Sequence, residues 1–95
     1  MNRKQIEDAL RDGYGYSPAT ARMSAARTDT MDPLVKEALE RFLQTGEMED
    51  LTEGQYSVTN LISEFGLKPP AAYLTISDLK KNYSMMHSIL QEGIM

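Results

Sequence analysis

The chain has 95 residues, 41% of them apolar, and carries a net charge of -4 with no cysteine. That length and apolar share suit a single packed core, and the missing thiols exclude disulfides and thiolate metal sites, so packing alone must hold the fold. The mild acidity disfavours a general attraction to nucleic acid or anionic lipid, and no secretory leader or run of about 18 apolar residues is present, so a soluble, cytoplasmic protein without a membrane span is expected.

Helix punctuation runs through the chain. Asn2 is a cap for a first helix with Ile6, Ala9 and Leu10 on its apolar stripe, and Gly13 is its expected end. Ser17-Pro18 places a capping hydroxyl before a proline at the first helical position, where the missing N–H costs nothing, and predicts a second helix to about Thr28. Asp32-Pro33 repeats the device for a third helix, in which Leu34, Val35, Ala38, Leu39, Phe42 and Leu43 recur at helical spacing until Gly46.

From Glu47 to Tyr56 the chain is polar and acidic with Gly54 inside it, which predicts a loop pinned by Met48 and Leu51. Ser57 caps a fourth helix with Val58, Leu61, Ile62 and Phe65 on one face, stopped by Gly66. Pro69 and Pro70 fit only the first turn of a fifth helix, whose stripe is Ala72, Tyr73, Ile76 and Leu79. A break near Asn82 to Ser84 precedes a last helix with Met85, Met86, Ile89 and Leu90, ending near Gly93. No segment sustains a period of two. The expected fold is therefore all-α: a compact bundle of five or six short helices with no sheet. It forms one domain over 1–95, with a three-helix half at 1–46, an acidic loop at 47–56 and a second helical half at 57–95.

Catalytic constellations are not legible. The chain has one histidine, His87, and no Gly-x-Ser-x-Gly elbow, so no nucleophile stands beside a positioned base, and His87 is expected as a partly exposed helical residue. Glu47, Glu49, Asp50 and Glu53 lack the alternating ligands and central glycine of a calcium loop, and read as a solvated linker. No cofactor, metal or catalytic residue is expected.

Two stretches resemble known families. Residues 6–46, with Gly15-Tyr16 between the first two helices, Ala21 on the second and Ala38, Phe42 and Leu43 on the third, resemble the ubiquitin-associated (UBA) three-helix bundle. That resemblance implies docking of a protein or peptide against Tyr14, Tyr16 and the adjoining end of the third helix at Phe42. Residues 58–81, with Leu61, Phe65, Gly66, Leu67, Ala72, Ile76 and Leu79, look like a helix-turn-helix. Such a unit sends its second helix into the major groove. Here the residues expected to be exposed on that helix, Ser77 and Asp78, include no arginine to read guanine, and only Lys68, Lys80 and Lys81 are placed to meet phosphates.

Five tyrosines and seven methionines exceed what a small bundle buries, so Tyr83, Met86, Leu90 and Ile94 are a second candidate partner surface, or one for self-association. The leading expectation is a non-enzymatic protein-binding or accessory module. The alternative is a dimeric DNA-binding regulator using Lys68, Lys80 and Lys81.

Overall fold

Six helices and one small ribbon make up residues 1–92, the part of the chain that the computed structural model describes. Helix α1 (Arg3–Tyr14) opens with a capping box: the Asn2 side chain accepts from the Gln5 N–H while the Gln5 side chain accepts from the Asn2 N–H. It runs past Gly13, its expected end, and stops at Gly15, whose φ of 68° is the left-handed C-terminal turn that glycine adopts without strain. Helix α2 (Pro18–Arg27) starts at the Ser17 cap and passes into a short 3₁₀ turn at Thr28–Thr30. Helix α3 (Pro33–Thr45) is capped by the Asp32 carboxylate, which accepts from the Leu34 and Val35 N–H groups.

The expectation of no sheet needs correction. Strands β1 (Thr52–Glu53) and β2 (Tyr56–Ser57) pair antiparallel, Glu53 opposite Tyr56, through the two-residue connection Gly54-Gln55. Glycine comes first in that connection with φ +60°, the arrangement of the II′ hairpin turn that matches strand twist. Two residues per strand are too few to display a period of two in the sequence.

Helix α4 (Val58–Ser63) carries a second capping box between Ser57 and Asn60 and ends three residues before Gly66. Helix α5 (Pro69–Lys81) has both prolines in its first turn, as their missing N–H groups require. Helix α6 (Tyr83–Glu92) follows after the single residue Asn82, whose side chain accepts from the Met85 N–H. The predicted end near Gly93, and Ile94 in the candidate surface patch, lie outside the described residues. No helix among the described residues is long and apolar enough to cross a membrane.

Packing divides the molecule differently from the sequence. Val35, Ala38, Leu39 and Phe42 of α3 share one core with Val58 and Leu61 of α4, Ala72, Tyr73, Leu74, Ile76 and Leu79 of α5, and Leu90 of α6. Ile6 and Leu10 of α1 and Ala21 and Ala25 of α2 form a satellite core, joined to the first through the half-buried Leu43. The buried face of α3 thus belongs to the core of the carboxyl-terminal helices, while Leu43 and the Tyr14–Phe42 contact tie the same helix to α1. Residues 47–56 are likewise part of the fold and not a free linker: Glu49 exchanges two backbone hydrogen bonds of 3.0 Å with the Tyr73 hydroxyl, Asp50 holds the Thr59 N–H and hydroxyl, and Glu53 pairs with Lys80 at 3.0 Å.

Candidate functional site

The seam between the two packing units opens as a groove of about 520 Å³ along α2 and α5. Its geometry comes from helical spacing. Thr20, Ser24 and Arg27 stand at i, i+4 and i+7 on α2, and Ala71, Leu74, Thr75 and Asp78 at i, i+3, i+4 and i+7 on α5, so each set forms a continuous strip facing the other. Tyr16 and Lys68 close one end. Met86 of α6 reaches into the side.

The two ends differ in charge. At one, Arg27 and Asp78 form an ion pair of 2.5 Å that bridges the walls. At the other, the Lys68 ammonium donates to the Tyr14 carbonyl oxygen at 2.8 Å and lies 5.0 Å from the centre of the Tyr16 ring, a cation–π arrangement. Burial pushes the Tyr16 hydroxyl above its ordinary pKa, partly offset by the Ala71 N–H that hydrogen-bonds it and reinforced by the nearby Tyr14. Between the ends the floor is apolar, with Leu74 only 5% exposed.

Of the residues expected at a partner surface, the groove gathers Tyr16 and Met86 and adds Lys68 from the alternative reading. The others lie elsewhere. Phe42 is 7% exposed and stands between Tyr14 and Tyr73, with ring centres 5.9 Å away on each side. It is a core residue with no face left for a partner. Tyr83 is half-buried beneath the ribbon: its ring stacks on His87 at 5.8 Å and its hydroxyl accepts from the Gln55 N–H. Tyr56, buried beside it, accepts from the Gln91 side-chain amide at 2.8 Å and meets His87 Nδ1 at 2.7 Å, so its own proton is directed at that nitrogen. His87 is thus half-buried and occupied in holding α6 against β2.

The residues of the DNA-reading alternative are also engaged within the molecule. Ser77, expected to be exposed, is 1% exposed and accepts from the Asp32 N–H, while Asp78 pairs with Arg27. Lys80 pairs with Glu53, Lys81 donates to the Thr30 carbonyl and Lys68 to that of Tyr14. Helix α5 is the central element of the main core, packed against α3, α4 and α6, and its open strip is the groove wall.

Sequence reading missed Thr20, Ser24, Arg27, Leu74 and Thr75 as groove residues. Their helical periodicity was visible on each helix, but nothing in one helix says which strip of another it faces. No protein-family model, curated protein or solved structure matches this chain.

Proposed function

We propose that the protein is a non-enzymatic binding module that takes a short segment of another protein in the α2–α5 groove. The observation that carries the reading is the groove itself, an apolar floor at Leu74 and Met86 between polar ends, whose volume of about 520 Å³ lies in the range typical of ligand-holding clefts. Its α5 wall from Lys68 to Asp78 is about 15 Å long at the helical rise per residue, enough for roughly five extended residues or three turns of a helix. The methionines at and around it suit such a role, because flexible thioether side chains adapt to varied apolar surfaces. The single histidine is held by Tyr56 and lines no part of the groove, so binding rather than chemistry is the role the groove residues suit.

The test is selection from a random-peptide display library on the wild-type protein and on Thr75→Trp, which places an indole in the groove from a half-buried position. Peptides enriched by the wild type and released by the filled groove are the expected result. A library that yields no enriched peptide, or peptides held equally by both proteins, overturns the reading.

A further inference from the structure

The groove is charged at one end only, and its one-sided charge states what should lie in it. Lys80, Arg11, Arg41, Lys4, Arg3 and Arg27 each have a carboxylate partner in the fold. Arg22, Lys36, Lys68 and Lys81 have none among the described residues, and of these four only Lys68 lines the groove, where its ammonium meets the neutral Tyr14 carbonyl and the Tyr16 ring. In a chain with 14 acidic and 10 basic side chains, a cation left without a carboxylate at the mouth of an apolar groove is an unfilled electrostatic position. The far end is already neutralised by the Arg27–Asp78 pair.

Apolar surface continues from the groove on both sides. Met23, 68% exposed, lies three residues from Thr20 and four from Arg27, on the same face of α2 as the groove wall. Ile89, 47% exposed, lies three residues from Met86 on α6. Exposed apolar side chains bordering a cleft mark a contact surface more often than scattered ones do.

Resting on the groove reading, we infer that the occupant is an acidic–apolar peptide segment, with a carboxylate on the Lys68 ammonium and a large apolar side chain against Leu74 and Met86. From Lys68 to Leu74 the helix rises about 9 Å. In an extended peptide that distance separates positions about two to three residues apart, so the recognised pattern is an aspartate or glutamate followed at that spacing by leucine, methionine or phenylalanine. Charge complementarity sets the orientation of the segment. Burial of the apolar side chain supplies most of the affinity.

The test uses three fluorescein-labelled synthetic peptides in a Gly/Ser background, with Asp, Asn or Lys placed three residues before a Leu, titrated by fluorescence anisotropy against the wild type, Lys68→Glu and Thr75→Trp. The Asp peptide is expected to bind about fivefold more tightly than the Asn peptide, the yield of one exposed ion pair, with the margin shrinking as salt rises. Lys68→Glu should reverse the order in favour of the Lys peptide, and Thr75→Trp should abolish binding of all three. Ser24→Trp, on the opposite wall, replaces Thr75→Trp if circular dichroism finds the latter unfolded.

Equal affinity for the three peptides, lost on filling the groove, overturns the acidic preference and leaves the groove reading standing. Binding that survives both tryptophan variants, or no binding at all, overturns both. A light-scattering mass of a dimer for the wild type and of a monomer for Thr75→Trp makes a second copy of the chain the occupant, and overturns the proposal.

Discussion

Gly54 illustrates how one residue fixes the junction between ribbon and helix. Its φ is positive, and a Cβ built there would stand 2.5 Å from Cε2 of Tyr83, inside the ring that α6 lays against the turn. Gly54→Ala should therefore cost about 2–4 kcal/mol, combining left-handed strain with overpacking, read as a drop in the urea midpoint. Gly66→Ala is the control: its φ is also positive, but a Cβ there meets nothing within 4 Å, so only the strain of about 1–2 kcal/mol should appear. The Tyr56 hydroxyl makes a second residue-level prediction. Tyr56→Phe removes the hydrogen-bond partner of the half-buried His87 Nδ1 and of the Gln91 side-chain amide and should cost about 1 kcal/mol in the same measurement. Glycine at 54 was readable as part of a loop from the sequence, whereas the hairpin turn it makes and the Tyr83 ring against it, contributed 29 positions later, were not.

Helix starts are specified locally, and their mutual placement is not. Asp32 serves both levels at once, since its carboxylate caps α3 while its own N–H is held by the buried Ser77 of α5 at 2.9 Å. Asp32→Ala removes only the cap and should cost about 1 kcal/mol by urea unfolding. Ser77→Ala leaves the cap intact but removes the acceptor of a partly buried N–H, at about 1–3 kcal/mol, and should also loosen α3 against α5, visible as faster amide exchange at Asp32. The capping residues Asn2, Ser17, Asp32 and Ser57 are all where the sequence put them, because a cap involves side chain and backbone within three residues. Ends were less legible. Gly13 and Gly66 looked like stops, yet α1 continues to Tyr14 and α4 stops at Ser63, since the last turn is decided by what the helix packs against.

For the whole molecule, tyrosine burial predicts a specific pH dependence. The hydroxyls of Tyr14, Tyr16 and Tyr73 are all held above their ordinary pKa, chiefly by burial; for Tyr73 the Glu49 and Asp50 carboxylates add to the rise, against the Glu49 backbone and Arg41. A raised value means that the folded protein keeps protons that the unfolded chain releases. The stability they contribute is full below the unfolded value of about 10 and falls as pH rises through and above it. The urea midpoint should thus be flat with respect to these groups from neutral pH to about 9 and decline beyond about 10, and Tyr73→Phe should flatten that decline. Unchanged steepness in Tyr73→Phe would assign the decline to other groups.

The sequence by itself determined that the chain is helical, where each helix begins and which stripes are apolar, because capping and periodicity are written within a few residues of one another. It also marked Tyr16, Lys68 and Met86 as residues of interest, each for a different reason. Only the tertiary structure decided that these three share one groove, that Phe42 and Ser77 are interior, and that the buried face of α3 joins the core of α4–α6 while Leu43 and the Tyr14–Phe42 contact tie it to α1. The physical reason is that apolar stripes are interchangeable in pattern: Leu and Ala at helical spacing say that a face is buried but not against what. The partner of each stripe, and the seam left open where α2 and α5 face each other, follow from how all six helices fill space together.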